Sequence, residues 1–151
     1  MDSILIALGW VGIFAPMALG AIASVAGCGI AGQAGIGALL EAESGHGRFI
    51  GVSALPSTFS IYGIVLMFTL NRDVTMENAG GLFAIGTLAG LALLASGVWQ
   101  GRTCASAISA SVEKPSIFGI ALAPAAIVEG FAVFAFVFAL FLSGSLAGSI
   151  G

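Results

Sequence analysis

Residues 3–40 contain no Asp, Glu, Lys or Arg, and the same is true of 49–71, 78–101, 115–128 and 130–151. Uninterrupted apolar runs of this length have few destinations. About 20 apolar residues cross the hydrocarbon core of a bilayer as a helix, which pairs all its backbone N–H and C=O groups within the segment. The runs are continuous rather than alternating, which excludes the short strands of a membrane β-barrel. Charged residues make up 7% of the chain and hydrophobic residues 59%, whereas soluble domains carry roughly 25% charge. With a mean hydropathy of +1.15, the chain lacks the polar groups to coat a water-facing surface. Cytosolic enzymes, disordered chains and nucleic-acid binders are excluded, so no nucleic-acid partner is expected. The net charge of −3 rests on four basic and seven acidic residues and specifies no acidic or basic partner. The expectation is an all-α integral membrane protein embedded in lipid.

Four transmembrane helices are predicted, at about 4–40, 49–70, 79–110 and 117–143. The first stretch could hold two short helices, but no turn cluster breaks it and it reads as one long helix. Polar connections at 41–48, 71–78 and 111–116 separate the spans, giving two helical hairpins in series within a single domain, 1–151. The first hairpin covers about 1–75 and the second about 76–151. Asp2 follows Met1 with no basic region before the first span, so no cleaved signal peptide is expected. Basic residues concentrate on the cytoplasmic side of membrane helices. Arg48, Arg102 and Lys114 lie on the side of the first and third connections, against Arg72 alone on the other. That places both termini on the non-cytoplasmic side. Cys28 and Cys104 match no metal or disulfide spacing and read as small buried hydrophobes. His46, beside glycines in the first connection, reads as a solvated loop residue.

Lipid tails are as apolar as Leu, so membrane helices associate by close approach through small residues. Gly86-x-x-x-Gly90 and Gly97-x-x-x-Gly101 mark such a face on the third span, and Gly29, Gly32, Gly35 and Gly37 mark one on the first. Bulky residues crowd the fourth span at Phe131, Phe134, Phe136, Phe138 and Phe141. A tightly packed layer of helices one and three, flanked by helices two and four against lipid, is therefore expected. The order of small-residue helix, loop and bulky helix repeats with an offset of roughly 70 residues, as in a degenerate duplication.

Glu129 interrupts an apolar helix, and a charge at mid-membrane costs about 2.5–3.5 kcal/mol even on lenient scales. Such a residue persists where it binds an ion, relays a proton or meets a partner. At 1.5 Å rise per residue, Glu129 lies about 24 Å along its helix from the third connection. Gln100 and Thr58 lie about 20 Å from the third and first connections on two other helices, by the same rise. Tyr62 is one turn beyond Thr58 on the same face. Pro56 lacks an N–H and frees a carbonyl near residue 52, the kind of backbone group that lines intramembrane ion sites. Thr58 could bond its own helix, but a buried Gln needs a partner. A carboxylate ringed by Thr, Gln and Tyr can bind a desolvated monovalent cation or hold a proton.

The segments Leu55-Pro56-Ser57-Thr58-Phe59-Ser60-Ile61-Tyr62-Gly63, Ser96-Gly97-Val98-Trp99-Gln100-Gly101 and Ile127-Val128-Glu129 carry a resemblance that covers the whole chain. It resembles the four-helix proteolipid, called c or K, that forms the membrane rotor of V-type and A-type rotary ATPases and ATP synthases. The resemblance implies that many copies form a ring, with small-residue helices inside and carboxylate helices outside. It implies a stator membrane protein (called a or I) as neighbour, a central stalk docked on loops 41–48 and 111–116, and a prokaryotic plasma membrane. The proteolipid itself is then non-catalytic and without a cofactor, and carries one H⁺ or Na⁺ on Glu129. In sodium-type members the resemblance assigns the cation to Glu129, Gln100, the Leu55 carbonyl and Thr58, with Tyr62 steadying the carboxylate. Those members carry a further Gln on helix two, where this chain has Phe59, beside Pro56 in the site lining. Phenylalanine offers no lone pair, so H⁺ is favoured over Na⁺, although Ser57, Ser60 or a trapped water could replace the missing oxygen.

Two other classes fit the residues alone. A small proton-coupled secondary transporter would use Glu129 as its coupling site at a repeat interface. A structural tetraspan protein would carry Glu129 incidentally.

Overall fold

The computed structural model describes residues 2–146. Met1 and residues 147–151, which the expected domain 1–151 and both chain ends include, lie outside them. The chain is helical through most of its described residues. The elements are α1 (Asp2–Glu41), α2 (His46–Ser53), α3 (Thr58–Leu70), α4 (Ala79–Glu113), α5 (Phe118–Ala121) and α6 (Ala123–Ser143). Among the described residues, four stretches are long and apolar enough to cross a membrane: Asp2–Glu41, His46–Leu70, Ala79–Glu113 and Pro115–Ser143. The first is one unbroken helix, about 60 Å long at the standard rise.

The second and fourth spans depart from the simple expectation, because each is broken. A 3₁₀ turn at Leu55–Ser57 separates α2 from α3, and Leu122 separates α5 from α6. Each break lies beside a proline, Pro56 and Pro124, whose ring removes a backbone donor and crowds the preceding turn. The expected connections are also shorter than predicted. His46–Arg48 belong to α2 and Ser111–Glu113 to α4, since a formed helix extends until something stops it. Pro115 stops α4 by forcing Lys114 out of the helical region (φ −134°, ψ 86°). Between α1 and α2, Gly45 has φ +79°, which L side chains rarely tolerate, and it lets the chain reverse tightly. His46 therefore opens a helix, with its exposed Nε2 2.7 Å from the Ala42 carbonyl oxygen.

α1 and α4 form the central pair and share the largest interface. The second span packs mainly on α1 and the fourth on α4, with a narrower contact between α3 and α6. Glycines set the central distance, but on α1 they are not the ones expected. A side chain on Gly86 would overlap the Gly12 carbonyl, and one on Gly97 would sit 2.7 Å from the Ala23 methyl. Pro16, inside α1, has no N–H to give that Gly12 carbonyl, which lies instead against α4. Within this chain, Gly29, Gly32 and Gly37 have nothing within 4 Å, and of that cluster only Gly35 packs on another span of the same chain, against Ser53. Within the chain the difference is one of phase. The buried positions of α1 include Gly9, Gly12, Pro16, Gly20, Ala23, Gly27, Ala31, Gly35 and Ala38, a helical stripe that the densest glycine cluster straddles. On α6, Phe131, Phe134, Phe138 and Phe141 face outward, while Phe136 turns in against Tyr62.

Candidate ion-binding site

Glu129 lies in α6, half-buried, where the second, third and fourth spans converge. Gln100 of α4 is fully buried. Its Nε2 donates to Glu129 Oε2 at 3.0 Å and to the Ala125 carbonyl at 3.4 Å. Gln100 Oε1 is buried and has no hydrogen-bond partner among the described residues. Thr58 is the first residue of α3, placed there by the break at Pro56, and Tyr62 follows one turn later on the same face. Both hydroxyls point at Glu129 Oε1, Thr58 from 3.1 Å and Tyr62 from 3.2 Å. Donors from three side chains thus cover both carboxylate oxygens, an arrangement in which hydrogen bonds to a charged acceptor are at their strongest.

Thr58 has two acceptors and one proton. Its Oγ1 is 3.2 Å from the Leu55 carbonyl and 3.1 Å from Glu129 Oε1. Donation to Glu129 suits an ionised carboxylate. Donation to Leu55 leaves an oxygen lone pair facing Glu129, which suits a protonated carboxyl. The hydroxyl can follow the charge on Glu129 by rotation about one bond. The Leu55 carbonyl also accepts the Thr58 amide, so both the backbone and the side chain of Thr58 engage it.

Of the residues singled out in the sequence, Thr58, Tyr62 and Gln100 meet on Glu129, and Leu55 joins them through Thr58. Pro56 is buried, packs on α1 beside Gly27, and creates the break. Phe59 is fully buried in a cluster with Ala23, Leu66, Leu93 and Ala132, and reaches the site only by an edge contact with the Tyr62 ring, centroids 6.2 Å apart. Phe136 packs on that ring at 5.2 Å. Arg102 points elsewhere, its guanidinium 4.7 Å over the Trp99 ring. The Ala125 carbonyl was not singled out, because an alanine backbone carries no signal, and Phe136 was grouped with the other α6 phenylalanines on a lipid-facing helix, whereas it packs on Tyr62. Pro124 had one: it precedes Glu129 much as Pro56 precedes Tyr62.

The family of the ATP synthase C subunit matches the chain twice, over residues 11–70 and 83–142. Each match covers one pair of spans, and their starting points reproduce the repeat offset of roughly 70 residues. The chain is 38% identical over 127 residues to A-type ATP synthase subunit K of Methanocaldococcus jannaschii, covering 79% of this chain and 56% of that protein. It is 30% identical over 125 residues to V-type sodium ATPase subunit K of Enterococcus hirae, covering 80% of each. The chain thus spans little more than half the length of the archaeal relative and most of the bacterial one. With the family unit present once in each half of an apolar four-span chain, this protein belongs to the ATP synthase C-subunit family, as a doubled proteolipid of the V/A type.

Proposed function

We propose that the chain is the ion-carrying unit of a rotor ring in a V/A-type rotary ATPase or ATP synthase, with Glu129 as the carrier. The observation that carries this reading is the convergence of Thr58, Tyr62 and Gln100, from two other spans, on one intramembrane carboxylate. A charged Glu facing hydrocarbon is penalised by about 2.5–3.5 kcal/mol, roughly two orders of magnitude in rate. A ring bearing it therefore turns freely only where each carboxylate is neutralised. Glu129 loads an ion from a stator membrane protein, travels around the ring facing lipid, and unloads on the far side. The chain makes and breaks no covalent bonds; ATP chemistry belongs to the rest of the complex, coupled through a central stalk on loops 41–48 and 111–116. Arg48, Arg102 and Lys114 favour the cytoplasm for that end, with the termini opposite.

The ion is H⁺. Phe59 contributes no oxygen, the Leu55 carbonyl is engaged by Thr58, and a proton needs only the carboxyl and one acceptor. A second reading, Na⁺, is favoured by the buried Gln100 Oε1, which no described residue partners, a lone pair of the kind a hard cation takes. The test is labelling of the purified ring with a hydrophobic carbodiimide, with and without Na⁺ at fixed pH. Labelling confined to Glu129 supports ion carriage, and protection by Na⁺ assigns the ion as Na⁺ instead of H⁺. An unreactive Glu129, or full ATP-driven ion uptake by a Glu129→Gln complex, refutes the proposal.

A further inference from the structure

Hydroxyls in membrane helices ordinarily bond a carbonyl of their own helix. Thr69, Thr103, Ser106, Ser109, Ser111 and Ser143 all do so here. Ser24 does not. It is buried at 8% exposure in α1, and its hydroxyl crosses to the second span. Ser24 Oγ accepts the Ser60 amide at 3.0 Å and donates to the Ser57 carbonyl at 3.2 Å. Those two backbone groups lie on either side of Thr58. A side chain inserted at a helix break fixes the break's shape, and this one is reinforced one turn further along α1 by Gly27, which admits the Pro56 ring.

We infer that Ser24 is a positioning residue for the Glu129 site. By holding the Ser57 carbonyl and the Ser60 amide together, it fixes the backbone that carries Thr58 and so sets the Thr58 hydroxyl against Glu129. The inference rests on the reading of Glu129 as the ion carrier. It assigns a role to a helix that contributes no side chain to the carboxylate itself.

The test compares Ser24→Ala, Ser24→Thr, Thr58→Ala and the double variant Ser24→Ala/Thr58→Ala as assembled rings, reading the pH profile of carbodiimide labelling at Glu129. Ser24→Ala is expected to leave a detergent-stable ring and to move the profile by about one pH unit, the tenfold that one hydrogen bond to a charged group is worth. The shift follows the same sense as that of Thr58→Ala. The double variant moves no further than Thr58→Ala alone, and Ser24→Thr, which keeps the hydroxyl, restores the wild-type profile. A wild-type profile in Ser24→Ala, or effects that add in the double variant, overturns the inference while leaving Glu129 as carrier. An unreactive Glu129 in the wild-type ring overturns both. Where Ser24→Ala fails to assemble, Ser24→Cys, close in volume and a feeble donor, gives the same comparison.

Discussion

Gly27 offers the sharpest test of how packing holds the site together. A methyl group there would lie 2.5 Å from the Gly97 carbonyl oxygen of α4 and 2.5 Å from Cβ of Pro56. Carbon contacts are comfortable at about 3.5–4.0 Å, so Gly27→Ala must push α4 and the Pro56 break away from α1 by about 1 Å each. α4 carries Gln100 and, through α6 packed on it, Glu129, while α3, which starts just past the break, carries Thr58. Glu129 moves with α4, so the 3.0 Å Gln100 bond holds, whereas the 3.1 Å Thr58 bond opens toward about 4 Å, beyond hydrogen-bond range. Overpacking itself costs about 1–3 kcal/mol. The expected outcome is a lower thermal midpoint of the purified ring together with weakened ATP-driven ion uptake in reconstituted vesicles. Gly119→Ala is the control, because a methyl group at Gly119 meets open space. A Gly27→Ala ring with wild-type midpoint and wild-type uptake would refute the argument that this three-way crossing sets the site's geometry.

Tyr62→Phe keeps the ring contacts with Phe59 and Phe136 but loses the 3.2 Å bond to Glu129. Ring assembly should be unchanged while ion uptake falls several-fold, as the loss of about 1 kcal/mol implies; unchanged uptake would remove Tyr62 from the site. Gln100→Leu, close in volume and fully buried, removes a donor to the carboxylate, so uptake should fall about tenfold or more without loss of helix content by circular dichroism. Arg48 lies 4.9 Å from the Phe49 ring centroid and 5.1 Å from that of Phe118, tying the loop ends of the two hairpins. Arg48→Ala should destabilise the ring by about 1–2 kcal/mol for two such contacts, and so lower its thermal midpoint, yet leave carbodiimide labelling of Glu129 as in wild type.

The spans were legible because their signal is the absence of charge, which no tertiary context can hide. The meeting of Glu129 with Gln100 and Thr58 was legible because axial rise alone sets depth, and Tyr62 followed from helical phase. Phase itself was the weaker guide where the helix was all small residues. On α1, glycine density pointed to Gly29, Gly32 and Gly37, while the face packed within the chain belongs to Gly12, Gly20 and Gly27. The breaks were half legible: Pro56 announced a lost donor, but how α1 repairs it through Ser24 depends on two helices lying side by side. A lone serine in an Ala-rich run gives no sign that its hydroxyl reaches across rather than back.

The two kinds of span also differ mechanically. α1 and α4 run without interruption for 40 and 35 residues, whereas the outer spans are jointed at Leu55–Ser57 and at Leu122. A helix without a break in its path is stiffer in torsion than a jointed one, even where, as at Pro16, one hydrogen bond is missing. The inner pair is therefore the stiffer element, and, under the ion carriage proposed for Glu129, local flexing as the site changes falls to the jointed outer helices.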